Sequence, residues 1–238
     1  FAAPYSQYKA LKTAAVENGV SLKYETTVGA ALPIIESIAR SINSGDEIFK
    51  IEAVLSGTMN YIFSTYKGGE DGRTFADVVR YAQEAGYSEP DPRLDLSGRD
   101  VLRKLLILSR EAGVGIDEDD VLIEPELGAE LFSGKVAAFY EKLAANEEFF
   151  ASSFKAASEK GLRQRFIASL VKDPSSSKGY TASMALKSVG ADNPLYNLCG
   201  TDNAAIITTA FYPSPLVIQG AGAGAYQTAS GVLNDILQ

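Results

Sequence analysis

The 238 residues are 46% hydrophobic, enough to bury a sizeable core in one large domain or two small ones. Lys and Arg total 22 against 30 Asp and Glu, and the net charge of −8 argues against nucleic acid or an anionic membrane as partner. No histidine is present, which excludes Ser-His-Asp hydrolysis, Cys-His proteolysis and His-ligated zinc, and leaves carboxylates, Lys, Tyr and Cys as acid–base groups.

In chain order, residues 8–18 read as a short helix capped by Gly19. Val20, Leu22 and Tyr24 alternate as a strand. A glycine-bearing loop over 25–33 leads to Pro33 in the first turn of a helix whose apolar face is Ile34, Ile35, Ile38, Ala39 and Ile42. Phe49, Ile51, Ala53 and Leu55 alternate as a strand that runs into Ser56-Gly57-Thr58 and a helix over 60–66. Such a strand-to-helix turn offers free N–H groups to an anion or a carbonyl, or serves simply as a close-packed connection. Thr74 caps a further helix, with Phe75, Val78, Val79 and Ala82 on its buried face and Gly86 as its stop.

Residues 86–104, GYSEPDPRLDLSGRDVLRK, concentrate the chemistry. Pro90 and Pro92 stiffen a loop that carries Glu89, Asp91 and Asp95. Ser97 and Asp100 read as a capping box, which starts a helix near Gly98. Asp100 and Lys104 then share one face a turn apart, either as an ordinary surface ion pair or as a pair that binds and protonates a small polar substrate. Leu102, Leu105 and Leu106 make this helix largely buried, so Lys104 is not expected to be fully solvated.

The second half adds a short strand at 121–123, helices over 135–145 and 147–159, and strands over 162–171 and 180–189 joined by a hairpin. Phe149, Phe150 and Phe154 are the expected anchors of the second helix. The single cysteine, Cys199, rules out an internal disulfide and suits a reducing cytoplasm. Strands at 204–212 and 216–219 precede a final helix over 227–237 with Ala229, Val232, Leu233 and Ile236 as its inner face. This mixture predicts an α+β fold, a mixed sheet with helices packed on it. No apolar run is long enough to span a membrane, and the chain opens at Phe1 without a methionine, as a fragment would. The run QGAGAGA at 219–225 formally fits G-x-G-x-x-A, but no room follows it for the next strand and an acidic ribose partner. Its glycines read instead as a close backbone approach, possible for a cofactor held mainly elsewhere.

With 86–104, the segments YETTVGAALPII (24–35), VLSGTMNYI (54–62) and QGAGAGAYQTASGV (219–232) resemble homoserine dehydrogenase, in the family's order and across nearly the whole chain. The resemblance implies NADPH- or NADH-dependent reduction of aspartate 4-semialdehyde to homoserine, a step toward threonine, methionine and isoleucine. It implies Lys104 as general acid with Asp100, substrate contacts from Glu89, Asp95, Asp100, Thr58 and Tyr87, and nicotinamide contacts at Gly86 and Gly224. It implies a monovalent cation such as sodium on Glu25 and the carbonyls of Val28, Ala30 and Leu32, a homodimer or higher homo-oligomer, and a cytoplasmic enzyme. Residues 1–23 and 220–238 would belong to a nucleotide-binding domain that is otherwise missing, 24–42 and 193–219 to a dimerisation region, and 43–192 to the catalytic region. A fragment of this kind is expected to be inactive alone, and an aspartokinase portion is compatible with it. Leu94 stands where the family usually has the first of two aspartates, and Ala31 replaces a frequent glycine. The competing readings are a carboxylate- or metal-dependent hydrolase on the acidic loop, against which Lys104 speaks, and a non-catalytic dimerisation module.

Overall fold

The computed structural model describes residues 3–124 and 129–238. Phe1, Ala2 and 125–128, which fall in the expected nucleotide-binding and catalytic stretches, lie outside the described residues. The elements are α1 (Tyr5–Glu17), α2 (Ile34–Asn43), β1 (Ile48–Val54), α3 (Gly57–Thr65), α4 (Phe75–Glu84), α5 (Pro92–Leu96), α6 (Arg99–Glu111), β2 (Val121–Ile123), α7 (Val136–Ala145), α8 (Glu147–Ser158), β3 (Arg163–Lys172), β4 (Tyr180–Val189), β5 (Asp202–Thr209), β6 (Leu216–Ala221) and α9 (Ala225–Leu237).

Among the described residues, six strands form one sheet in the order β2-β4-β3-β1-β5-β6. Every pairing is antiparallel except β2 with β4, so the sheet is mixed and the α+β reading holds. Alternation along β1 divides its side chains between the faces. Ile51 and Ala53 join the large helix-covered core, while Val54 joins a small second cluster with Ile167, Leu195 and Ile206 on the other face. Leu105, Leu106 and Leu108 of α6 and Phe75 of α4 are fully buried in the large core. Phe150 stacks on Phe75 at 3.9 Å and Phe154 meets Tyr66 edge-on, so two of the three expected anchors of α8 act as such; Phe149 is largely exposed.

Four expectations are corrected. Residues 20–24 form no strand: no described strand lies beside them to pair with, Val20 is exposed, and Tyr24 turns inward to donate to Glu111. The acidic loop contains a helical turn, α5, capped by the Asp91 side chain, which accepts from Arg93 N at 3.1 Å. The Ser97–Asp100 capping box does not form. Ser97 Oγ instead donates to Leu94 O at 2.9 Å, and Gly98, in the left-handed region at φ 71°, begins α6. Lastly, the apolar stripe of α9 faces outward: Val232, Leu233 and Ile236 are exposed and only Gly231 is buried. There a Cβ would lie 2.5 Å from Thr26 Cγ2 and 3.3 Å from Ala31 Cα, so glycine is what lets α9 close on the 25–33 loop.

Candidate active site at the end of the central strand

β1 is the hub of the site, because three segments converge where it ends. Leu55 follows β1 fully buried, and Ser56 caps α3 by accepting from Met59 N at 3.2 Å. A Cβ on Gly57 would lie 2.5 Å from Thr201 O, so the β1–α3 turn rests directly on the segment leading into β5. Asn60 fastens that contact, with Nδ2 donating to Gly200 O at 3.1 Å and to Asp202 O at 3.2 Å.

Lys104 reaches this point from α6. Its Nζ donates to Leu55 O at 2.9 Å and pairs with Asp100 Oδ2 at 2.7 Å. The lysine side chain is 18% exposed and the aspartate 62%, so the ammonium is held at a wall of the protein while its partner stands in solvent. A purely surface ion pair would leave both in water.

The acidic loop is tied beside it. Thr58 Oγ1 lies 2.5 Å from Tyr87 O and 3.2 Å from Asp95 Oδ1. Asp95 Oδ2 accepts from Ser88 Oγ and from Glu89 N, each at 2.9 Å. Asp95 and Thr58 therefore form an internal knot that fixes the loop, and Glu89 and Tyr87 project from it, exposed. Tyr87 leans on the Tyr61 ring of α3 at 4.8 Å. Gly86, at φ 74°, ends this arm with open space where a side chain would stand. Lys104, Asp100, Thr58, Tyr87, Asp95, Glu89 and Gly86 are thus gathered by α3, α6 and the intervening loop. Asn60 belongs with them, and the sequence reading gave it no role. The signal available was a polar residue between Met59 and Ile62 on a helix otherwise buried there.

Glu25 is held apart from this group. Its carboxylate accepts from Ile35 N and Glu36 N, each at 2.8 Å, and so caps α2, where Pro33 has no side-chain acceptor to offer. Burial pushes its pKa up to about 7 against those two bonds, and the nearby Glu36 and Asp235 carboxylates add to the rise. Val28 and Ala30 are buried beside it, Ala30 with φ 53°, and Leu32 O accepts from Ile34 N at 2.7 Å. Gly224, at φ 125°, begins α9, and Gly222 packs against Asn203 of β5. Among the described residues no three of Cys, Asp and Glu are grouped to hold a metal, which disfavours the hydrolase reading with a divalent ion on the acidic loop.

Fold and site together define an α+β unit built around a lysine–carboxylate centre at the end of a central strand. The family model described as homoserine dehydrogenase matches residues 33–237, and the chain belongs to that family. It is 41% identical to a chloroplastic bifunctional aspartokinase/homoserine dehydrogenase 1 of Zea mays, over 99% of this chain and 25% of that protein. It is 39% identical to a homoserine dehydrogenase of Schizosaccharomyces pombe, over 100% of this chain and 63% of that protein. A hyperthermophilic archaeal homoserine dehydrogenase in complex with NADPH superposes with a TM-score of 0.70 at 25% identity, over 98% of this chain and 60% of that one. The chain thus spans a quarter to under two thirds of the length of these relatives.

Proposed function

We propose that the protein to which this chain belongs reduces aspartate 4-semialdehyde to homoserine with NADPH or NADH. The observation that carries this reading is Lys104, held between Leu55 O and Asp100 at the end of β1 beside an acidic loop. The bound nicotinamide supplies the hydride. Addition to an aldehyde builds negative charge on its oxygen, and the Lys104 ammonium stabilises that charge and delivers the proton. Asp100 keeps the ammonium oriented. The substrate's own amino group is cationic, and Glu89 with Asp100 supplies the exposed carboxylates that bind it. Tyr87 and Thr58 line the same arm, with Asp95 setting its shape.

The residues present fit such a cofactor at its reactive end. Gly86 leaves open space beside the loop, and Gly224 brings bare backbone to the start of α9. The rest of the cofactor belongs to a nucleotide-binding portion to which residues 1–23 and 220–238 contribute. The outward apolar stripe of α9 and the exposed Leu11 and Val16 of α1 support that assignment. A monovalent cation such as sodium belongs to the same reading, on Glu25 and the carbonyls of Val28, Ala30 and Leu32, because all-oxygen ligation from one loop suits a hard cation. A homodimer through 24–42 and 193–219 and a cytoplasmic setting complete the reading.

The decisive experiment is Lys104→Ala in the full-length enzyme. Turnover is expected to fall by about 10²–10⁴-fold while NADPH affinity changes little, as for loss of a general acid. Unchanged turnover would remove Lys104 from this role. Residues 1–238 expressed alone are expected to fold without turnover, checked by circular dichroism and NADPH oxidation.

A further inference from the structure

We propose that the cavity between the end of α3, the end of α8 and the start of β3 binds a small phosphate-bearing anion. The cavity measures about 320 Å³. Lys67, Arg163 and Arg165 line it, with Ser158 and Gln164 as neutral donors, and among the described residues no carboxylate belongs to its wall. On a chain of net charge −8, three cations gathered without an anion run against the average. Among the described residues, none of the three takes part in an ion pair.

Arg165 is the buried member, 2% exposed. It donates to the carbonyls of Leu195 at 3.0 Å, Gln164 at 2.7 Å, Tyr196 at 2.8 Å and Leu198 at 2.6 Å. Carbonyl oxygens satisfy N–H groups but leave the positive charge uncancelled. Burial, and then the neighbouring Arg163, holds its pKa down, the signature of a cation lacking a counter-charge. A role as a staple between β3 and the 194–198 turn accounts for Arg165 alone. It does not account for the two further cations facing the same space.

Arg163 lies over the Tyr196 ring at 4.2 Å and uses only Nη1, toward Tyr196 O and Asn197 Oδ1. Its Nε and Nη2 carry no bond among the described residues, which leaves one edge of the planar fork for phosphate oxygens. Lys67 is exposed and adds a mobile point charge at the mouth. The site lies at the opposite end of α3 from Thr58, so it is separate from the lysine–carboxylate centre. Cys199 also lines the cavity and is exposed, which gives a built-in reporter.

The test uses the full-length protein with inorganic pyrophosphate and inorganic phosphate as probes at fixed ionic strength. Calorimetric titration is expected to show saturable binding that weakens at least about tenfold in Lys67→Ala/Arg163→Ala, whose two sites are exposed and whose folding is checked by thermal melting. Saturating pyrophosphate is expected to slow alkylation of Cys199 by iodoacetamide, followed by peptide mass mapping. Tight pyrophosphate with weak phosphate would identify a diphosphate ligand, and the reverse a monophosphate. Affinity unchanged in the double variant, or Cys199 alkylation unaffected by either probe, would overturn the proposal.

Discussion

Lys104 and Glu25 are both charged groups drawn partly out of water, and the chain treats them in opposite ways. Lys104 meets a carbonyl and a carboxylate, so its charge is matched. Glu25 is buried and has two further carboxylates near it, which outweigh its two backbone N–H donors, so its charge is opposed. Its pKa of about 7 lies above the ordinary 4.5. A carboxyl whose folded pKa is raised gives stability that is full below the unfolded value and is lost as pH rises through the folded one. Thermal melts of the chain are therefore expected to fall as pH climbs from 4.5 through 7, and Glu25→Gln to flatten that fall. Above pH 7, sodium chloride is expected to raise the melting temperature of the parent where choline chloride does not. A parent and variant with parallel pH profiles would show that Glu25 is not the group responsible.

The elements that the sequence revealed are those whose partners leave a local trace. In β1 the buried Ile51 and Ala53 alternate with the half-buried Lys50 and Glu52, Thr74 caps α4 in a complete capping box, and Gly19 and Gly86 follow helix ends in the left-handed region. What stayed hidden depends on contacts remote in sequence. The knot at Asp95 joins Ser88, seven residues away, to Thr58, 37 away, and no spacing rule marks it. The stretch 20–24 has strand-like alternation but no neighbour, and alternation alone cannot supply one. For Lys104 and Asp100 the spacing was visible, whereas the Leu55 carbonyl that makes the lysine a fixed group was not. Gly231 shows how magnitudes decide an element's docking. Alanine inside a helix gains about 1 kcal/mol over glycine, but crowding a packed contact costs about 1–3 kcal/mol. Gly231→Ala is expected to destabilise by about 1 kcal/mol, because its methyl would meet Thr26 Cγ2 at 2.5 Å. Thr26→Ala in the same background should recover much of the loss in chemical denaturation. Stabilisation by Gly231→Ala alone would show that α9 is not closely seated.

At the scale of the molecule, one face of the sheet is buried under helices, and apolar side chains remain exposed on α1 and α9. These exposed positions cost nothing to the fold as described, since they touch little of it. Leu233→Lys with Ile236→Lys is expected to leave the melting temperature of residues 1–238 nearly unchanged and to reduce their self-association in analytical ultracentrifugation. In the full-length protein the same pair should instead weaken NADPH binding, because there the stripe would meet the nucleotide-binding portion. A large loss of stability in the short chain would show that the stripe is part of its core.

The central position of β1 has a consequence in time. Its two neighbours are β3 and β5, so Ala53 faces Ala168 on one side and Ala205 on the other. Both arrive in the second half of the chain. The strand that carries the site's hub can therefore pair only after more than a hundred further residues have been made, and loops of this length must close before any ladder bond forms. A ribosome that stalls before β5 would expose β1 with an open edge, so the vulnerable period of this protein is its own synthesis.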